Sequence, residues 1–394
     1  GDWGEETCSN EMPCAVTCVR GADIIPISEY NFSTIPIRYI SQQSYSKKCL
    51  QVGDIIIEKS GGSPTQSTGR VSFVSQELLD SVGPVVCSNF CTAFRVKKGW
   101  NPLYVYYYFQ FIYNLGLFFN FEGKTSGLKN LQLDAAFAAI PIDDVRESSQ
   151  NKIVAVLQGL EKKITINRRI NQNLEAMAKQ LYDYWFVQFD FPNEEGKPYK
   201  SSGEVMVYNE RLGREIPQGW STMPISEILD KYPTTKRYET KEYLSCGKYP
   251  IIDQSDSYIA GFTNEIDHLL TRHPAVLFGD HSTKVKFLDF DFARGADGTQ
   301  ILYSSNKAVS QYYLYLAVSA LQIPNPGYSR HFKYLKELPI IIPDLKIANK
   351  FKNIVKPLFE EWTKNIFCNI ELTKQSNELL PLLMNGQVSV NSDL

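Results

Sequence analysis

Four polar loops hold most of the side chains in this sequence that could bind or react with another molecule. The first, residues 58–70, is rich in glycine, hydroxyl groups and cations. Backbone amides and hydroxyl groups suit phosphate oxygens, whereas amide and guanidinium side chains suit the edges of bases. The loop does not end in Gly-Lys-Ser/Thr, which excludes a Walker-type nucleotide loop. Its candidate nucleic-acid ligands are Lys59, Ser60, Gly62, Ser63, Gln66 and Arg70. A solvated hairpin connection is the alternative interpretation of this loop.

The other three loops have the same small, hydroxylated and basic character. They occupy residues 122–129, 280–284 and 327–335, and the last resembles residues 124–131 in sequence. Two such loops on one compact body favour contact with phosphate groups. The candidates that these loops add are Lys124, Thr125, Lys129, His281, Ser282, Thr283, Lys284, Tyr328, Arg330, His331 and Lys333.

Catalytic chemistry has weaker support in the sequence. The run Asn-Pro-Leu-Tyr at residues 101–104 is close to the Asn/Asp-Pro-Pro-Tyr signature of amino-methyltransferases, but leucine replaces the second proline and no glycine-rich cofactor loop accompanies it. Asp280-His281 and Glu58-Lys59 are acid–base pairs by sequence only, without the partners that a nuclease metal site needs. We therefore predict no catalytic residue, no metal site and no cofactor bound by this chain.

Composition points to an ordinary globular protein. The 394 residues suggest two or three domains, and the formal net charge of −2 gives no overall basic field, so any basic surface must be local. The eight cysteines lack zinc-ligand spacing, which predicts reduced thiols. Residues 103–121 are free of charged side chains but carry too many tyrosines for a membrane span. With no secretory signal at residues 1–6, these features predict a cytoplasmic protein.

Two long helices must position the loops. Residues 143–191 and 343–386 both follow a proline-containing apolar segment, and both begin with an aspartate, Asp143 or Asp344, that suits a helix N-cap. Their matching length predicts an antiparallel pair, with two ordinary core helices as the alternative. The predicted apolar stripe comprises Ile153, Leu157, Leu160, Ile164, Leu174, Met177, Leu181, Ile354, Leu358, Trp362, Ile366, Leu372, Leu379 and Leu383. Asparagines 167, 171, 173, 365, 369 and 377 lie close to that stripe, where they can fix the register of the pair.

The order of elements repeats with a period of about 200 residues. Each half contains short β-like runs, a tyrosine-rich helix, a small basic loop and a long helix, which predicts an α+β protein with two tandem β-rich bodies related by a pseudo-twofold axis. The predicted segments are a first body at 1–142, a helix at 143–191, a linker at 192–215, a second body at 216–342, a helix at 343–386 and a tail at 387–394.

Four segments together resemble the specificity subunit of type I restriction-modification systems. They are Gln-Asn-Lys-Ile-Val at 150–154, Tyr-Asp-Tyr-Trp-Phe-Val at 182–187, Arg-Glu-Ile-Pro-Gln-Gly-Trp at 214–220 and Leu-Leu-Pro-Leu-Leu-Met-Asn-Gly at 379–386. The resemblance covers nearly the whole chain, although the Ile-Pro-x-Gly-Trp run before the second body has no counterpart before the first.

The resemblance implies a non-catalytic DNA-recognition subunit. Each body would be a target-recognition domain that reads one half of a bipartite double-stranded DNA sequence, with the helices as a coiled-coil-like spacer and docking platform. Its partners would be two DNA-adenine methyltransferase (M) subunits and restriction/translocase (R) subunits. S-adenosylmethionine, ATP and Mg would belong to those partners. The alternative hypothesis is a protein-interaction adaptor that is built on the helical pair and does not bind DNA.

Overall fold

The computed structural model describes residues 1–61, 66–125, 128–143, 145–230, 235–323 and 330–390, and of residues 124, 125 and 128 it describes only the backbone. The chain divides into two compact units. Unit 1 comprises Gly1–Ile166 and Asn369–Leu394, and unit 2 comprises Asn167–Cys368. Each unit therefore contains a mixed body of strands and short helices together with a part of both long helices, as the α+β prediction requires.

Unit 1 contains small sheets with short helices between their strands. The strand orders are β2-β1-β6, β5-β3-β7 and β4-β9-β8 in the numbering that follows. The strands are β1 (Cys14–Val19), β2 (Ile37–Ile40), β3 (Ile55–Glu58), β4 (Ser60–Gly61), β5 (Val71–Phe73), β6 (Val85–Cys87), β7 (Cys91–Phe94), β8 (Glu122–Thr125) and β9 (Leu128–Leu131). The helices are α1 (Ile24–Ser28), α2 (Gln42–Lys48), α3 (Gln76–Val82), α4 (Pro102–Asn114), α5 (Leu133–Ala139) and the long α6 (Glu147–Tyr182).

Unit 2 has the same mixture of elements. Its sheets have the orders β10-β11, β12-β20, β14-β13-β18-β15 and β17-β16-β19 in the numbering that follows. The strands are β10 (Met206–Asn209), β11 (Arg214–Pro217), β12 (Ser221–Pro224), β13 (Tyr249–Ile252), β14 (Gly261–Thr263), β15 (Leu269–Leu270), β16 (Ala275–Gly279), β17 (Val285–Leu288), β18 (Phe292–Arg294), β19 (Thr299–Leu302) and β20 (Pro339–Ile342). The helices are α7 (Ile225–Ile228), α8 (Gln311–Ala320), α9 (Phe332–Glu337) and the long α10 (Leu345–Met384).

The aromatic helix of each unit packs into its core. Asn101 caps α4, because its side-chain oxygen accepts the backbone N–H of Leu103 at 2.9 Å, and Pro102 occupies the first turn. The near-match to a methyltransferase motif is therefore a helix start. In unit 2, Ser310 caps α8 in the same way. None of the helices in the described part of the chain is long and apolar enough to cross a membrane.

The two long helices are antiparallel within each unit. In unit 1 the early residues Ile153 and Leu157 of α6 share a core cluster with the late residues Leu380 and Leu383 of α10. In unit 2 the late part of α6 meets the early part of α10: Phe186, in the π-helical turn Asp183–Val187 that extends α6, lies edge-on to Phe351, with ring centroids 4.8 Å apart. The predicted antiparallel pairing is confirmed.

The apolar stripe of the helices differs from the predicted one in its second half. Met177 is 54% exposed, and Ala178 is buried in its place. The reason is that the contact between the two long helices includes polar residues, which a pattern of apolar residues cannot identify. Asn365 donates to Asn171 at 2.9 Å, and Asn171 donates to the Trp362 carbonyl at 3.0 Å. Two of the predicted asparagines, Asn171 and Asn365, are therefore hydrogen-bonded to each other between the two long helices.

On α10 the stripe is also shifted. Ile354 is 48% exposed, whereas its neighbour Val355 is buried. Phe351 and Phe359, four residues to either side of Val355, are buried with it, so the buried positions keep the helical period but start from a different residue.

The starts of the long helices also differ from the prediction in one case. Asp344 caps α10, since its carboxylate accepts the backbone N–H of Lys346 at 2.8 Å. Asp143 does not cap α6, which begins at Glu147. The buried Gln150 turns back instead and donates to the Val145 carbonyl at 2.7 Å, so its side chain fixes the segment before the helix.

Two predicted segments have a different structure. Residues 192–215, predicted as a linker, include β10 and the first half of β11, which form an antiparallel hairpin in unit 2. The alignment of residues 327–335 with residues 124–131 is also wrong, because the first range contains most of helix α9 and the second contains the end of β8 and all of β9. Helix α9 corresponds in position to α5, since each directly precedes its unit's proline-containing apolar segment.

Candidate nucleic-acid interface

The first predicted loop begins at the buried end of β3. There the Glu58 carboxylate accepts two hydrogen bonds from the Arg70 guanidinium, at 2.8 Å from Nε and 2.7 Å from Nη2. The side chains are 6% and 15% exposed, respectively. The hydrogen bonds to Glu58 raise the pKa of Arg70. Arg70 thus closes the base of the loop, and its predicted role at base edges does not fit this geometry, because the forked donor already has its carboxylate.

The second predicted loop of unit 1 is tied to the first. Lys129 lies 3.4 Å from the Glu122 carboxylate and donates to the Gln66 carbonyl at 3.1 Å. Glu122 also accepts the Thr68 hydroxyl at 3.0 Å. Lys129 is buried, so it links the two loops from beneath and is not an exposed phosphate ligand.

The remaining candidates of unit 1 lie around this junction. Strand β4 pairs with β9, and the Ser60 hydroxyl is hydrogen-bonded to Asn130. The side chains of Lys59 and Gln66 are exposed. Gly62 and Ser63 lie outside the described residues, and for Lys124 and Thr125 only their place in β8 is described. The structure therefore brings the described parts of these two loops together.

The two predicted loops of unit 2 meet at Asp280. Its carbonyl accepts the backbone N–H of His331 at 2.8 Å and lies 2.9 Å from His331 Nδ1. Its carboxylate accepts the Phe332 N–H at 2.8 Å. Asp280 and His331 are both buried, so His331 holds the loops together. Asp280 forms no acid–base pair with its neighbour His281 among these contacts.

The exposed candidates of unit 2 surround that junction. His281, Lys284, Arg330 and Lys333 are exposed, with the Lys284 ammonium 2.9 Å from Asp256. Ser282 and Thr283 are half-buried in the turn between β16 and β17. Tyr328 lies outside the described residues.

Gln254 belongs to the candidate interface, although its place in the sequence did not indicate it. Its carbonyl oxygen accepts the backbone N–H groups of His281 at 3.0 Å and Ser282 at 3.3 Å, and its amide donates to the Asp297 carbonyl at 2.8 Å. One side chain thus clamps two loops. It also stabilises a turn in which Thr283 has the uncommon φ of +57°. The available signal was the polar run at 253–257 directly after the apolar end of β13.

Gly298 lies on the other side of the same loop. Its φ is +80°, and a Cβ placed there would lie 2.6 Å from the His281 ring. Only glycine lets the backbone of the 295–299 loop approach His281 this closely. The position of His281 is therefore defined by Gln254 and Gly298, neither of which is one of the predicted contact residues.

Chemistry beyond binding has little support in the described part of the chain. No group of three or more histidine, cysteine or acidic side chains in that part could hold a metal ion. The cysteines of that part form no disulfide. Burial raises the pKa of the Cys18 and Cys91 thiols to about 12, which keeps them protonated and unreactive.

Comparison with known proteins identifies the family. A model of the type I restriction modification DNA specificity domain matches the chain twice, at residues 22–176 and 217–372. The chain belongs to that family. A curated relative, the type I restriction enzyme MjaIX specificity subunit of Methanocaldococcus jannaschii, is 26% identical over 314 residues, which cover 70% of this chain and 69% of the relative.

Further relatives agree with this assignment. The EcoR124I/EcoR124II specificity subunit of Escherichia coli is 28% identical over 149 residues, covering 35% of this chain and 36% of that protein. The crystal structure of a type I restriction-modification S subunit from M. genitalium matches with a TM-score of 0.52 at 14% identity, covering 96% of this chain and 92% of that one, which is a likeness of fold.

The family match decides between the two hypotheses from the sequence. This protein is a DNA specificity subunit of the type I restriction-modification class, non-catalytic and built from two tandem target-recognition domains, and the adaptor alternative is not supported. The motifs that carried the resemblance have structural roles. Gln150 accepts the backbone N–H of Asn101 at 2.7 Å, which joins α6 to the start of α4. In unit 2, Trp220 stacks on Phe191 with ring centroids 4.8 Å apart.

Proposed function

We propose that each unit reads one half of a bipartite double-stranded DNA sequence. The observation that carries this proposal is the duplicated DNA specificity domain, of which the first copy lies mostly in unit 1 and the second in unit 2. Each copy contributes two polar loops that meet at a buried polar residue of its own unit. Such a pair of readers recognises a split site whose spacing is set by the distance between the readers.

Within each unit, the exposed loop residues are the proposed DNA contacts. In unit 1 these are Lys59 and Gln66, and in unit 2 they are His281, Lys284, Arg330 and Lys333, all of which are exposed. Lysine and arginine suit phosphates, whereas glutamine and histidine can hydrogen-bond base edges. The half-buried Arg70 and the buried Lys129 and His331 support these loops from beneath.

The proposed partners follow the family. This chain assembles with two DNA-adenine methyltransferase subunits, for which the helical pair α6 and α10 is the docking platform and spacer, and with restriction/translocase subunits. S-adenosylmethionine, ATP and Mg bind to those partners, and this chain binds none of them. We also propose a cytoplasmic location, where the DNA target is.

One experiment tests the division of labour between the units. The chain is purified in complex with its methyltransferase subunits and mixed with a library of duplexes with randomised sequence, and the bound DNA is sequenced. Two paired variants are compared with the wild type: Lys59→Ala with Gln66→Ala, and His281→Ala with Lys284→Ala. Lys241→Ala, an exposed lysine of unit 2 that is paired with Glu239, is the matched control.

We expect each paired variant to relax base preference in a different half of the split motif, while the control leaves both halves unchanged. Loss of one good base contact costs about 1–3 kcal/mol of discrimination. If both variants weakened the same half, or if neither changed the motif, the assignment of one half-site to each unit would be wrong.

A further inference from the structure

A groove along strand β7 of unit 1 is lined by lysines that have no acidic partner among the described residues. We define the β7 groove as two adjoining depressions of about 570 Å³ and 270 Å³. Thr92 lines both depressions, which makes them neighbours along the strand. Lys59 lines the first, whereas Lys47 and Arg95 line the second. Of these three residues, the sequence indicated only Lys59 as a nucleic-acid ligand.

Most cations in the globular part of unit 1 have acidic partners. Among the described side chains of residues 1–142, ion pairs join Arg20 to Asp23, Arg38 to Glu6, Lys48 to Asp2, Arg70 to Glu58, Arg95 to Asp54 and Lys129 to Glu122. In that same range, the described lysines without an acidic partner are Lys47, Lys59, Lys97 and Lys98, all of them exposed. Charge left unpaired on a surface is available to a polyanion.

Two of these lysines, Lys47 and Lys59, line the groove itself. The other two, Lys97 and Lys98, follow Arg95 in the chain by two and three residues. Arg95 is held in place by a bidentate contact with the buried Asp54, at 2.7 and 2.9 Å, and its side chain remains 61% exposed. The exposed Asp134 lines the first depression and is the acidic side chain there.

The floor of the groove also suits a phosphate chain. Strand β7 lies at the edge of the sheet β5-β3-β7, and an edge strand presents backbone N–H groups on its outer side. The stretch from Cys91 to Arg95 spans about 13 Å at roughly 3.3 Å per residue. The phosphates of one DNA strand rise about 3.4 Å each along the helix axis and lie farther apart along the backbone itself, so a stretch of this length meets roughly two or three successive phosphates.

We propose that the β7 groove binds the sugar–phosphate backbone of the DNA half-site that unit 1 reads. This inference rests on the proposed function and deepens it. It assigns to the groove the phosphate contacts that set the register of the protein on the DNA, and it leaves base reading to the loops. Lys47, Lys97 and Lys98 contact phosphates at one end of the groove and Lys59 at the other. The groove contributes affinity for every sequence and no base preference of its own.

The test removes two unpaired lysines. Lys47→Ser with Lys97→Ser is compared with Lys197→Ser with Lys241→Ser, which removes the same charge from exposed lysines of unit 2. Neither member of the first pair has an acidic partner, and the control pair loses only surface ion pairs, so both variants should fold. Circular dichroism and thermal melting check this for each complex with the methyltransferase subunits.

Dissociation constants for a duplex with the preferred sequence and for an unrelated duplex are then measured between 50 and 200 mM salt. The logarithm of the association constant falls linearly with the logarithm of the salt concentration, and each lost phosphate contact makes this slope less steep by about 0.9. The slope of the groove variant should therefore be less steep by about 1.8. Over a fourfold range of salt this means that the wild type loses about tenfold more affinity than the variant. The ratio of specific to non-specific affinity should not change, and the control should keep the wild-type slope.

An unchanged slope in the groove variant, while the wild type still prefers its sequence, would overturn this inference and leave the proposed function intact. A wild-type complex with no sequence preference would instead overturn the proposed function. If the groove variant failed to assemble with the methyltransferase subunits, the groove would be a protein interface, and the DNA assignment would be wrong.

Discussion

Replacing Arg70 with methionine should unfold the base of the first loop and not merely weaken DNA binding. The Glu58 carboxylate, with a side chain that is 6% exposed, would lose both hydrogen bonds of its only ion pair in the described contacts. Gly21 adds to the confinement, since a Cβ there would lie 2.7 Å from the same carboxylate. The charge would remain buried without a partner.

The expected magnitude follows from this burial. Removing one partner of a buried ion pair costs about 3–5 kcal/mol, because the remaining charge keeps its desolvation penalty. With a urea dependence of about 2–3 kcal/mol per M, the unfolding midpoint of unit 1 should fall by about 1–2.5 M. Replacing both members, Glu58→Leu with Arg70→Met, should recover most of the loss, because no buried charge remains.

Urea titration monitored by hydrogen exchange and mass spectrometry resolves unit 1 from unit 2. Lys59→Met is the matched control, because it removes a neighbouring, exposed lysine without an acidic partner. It should leave the free energy of unfolding within about 0.5 kcal/mol of the wild type. If Arg70→Met kept the wild-type midpoint and lost sequence-specific DNA affinity, Arg70 would be a base reader and its structural role would be refuted.

Three other perturbations have defined outcomes. Gln254→Leu should leave overall folding intact and reduce specific DNA binding much more than non-specific binding in a duplex binding assay, because the loop that carries His281 loses its clamp; equal loss of both would contradict this. Asn171→Leu should destabilise unit 2 by about 1–3 kcal/mol in urea titration, since the Asn365 amide loses its buried acceptor. Adding Asn365→Leu should restore stability. Equal, additive losses from the two substitutions would argue against the hydrogen bond between Asn365 and Asn171. Burial raises the pKa of Glu161 above 4.5, so the folded state binds this proton more tightly than the unfolded chain does. That stabilisation is present below pH 4.5 and is lost as the pH rises through the folded-state pKa. Glu161→Gln should therefore gain stability relative to the wild type as the pH rises. Thermal melting that showed the reverse trend would contradict this.

The sequence was sufficient for the elements that rest on local periodicity. The two long helices were predicted because apolar residues recur with helical spacing over many turns, whereas α4 was predicted from a charge-free, tyrosine-rich run. The exact buried face was not predicted for the long helices, since Asn171 occupies a seam position that an apolar pattern cannot identify. Pairing of polar groups across the seam depends on tertiary contacts between residues nearly 200 positions apart.

The candidate interface shows the same limit more sharply. Residue type indicated polar loops that the structure brings together in pairs, but it could not separate the exposed residues of those loops from the buried ones. Arg70 and His331 were grouped with Lys59 because arginine, histidine and lysine have similar chemistry, although the structure commits the first two to Glu58 and Asp280. Gln254 was missed because it lies 27 residues from the loop that it holds.

The central claim is that the two units together define a split DNA target, and a long-read map of adenine methylation tests it most directly. The map is made in cells that express this chain with its methyltransferase and compared with cells that lack only this chain. The account predicts a two-part motif with a fixed non-specific spacer that is methylated in the first cells and unmethylated in the second. A methylation pattern that is the same in both would contradict it.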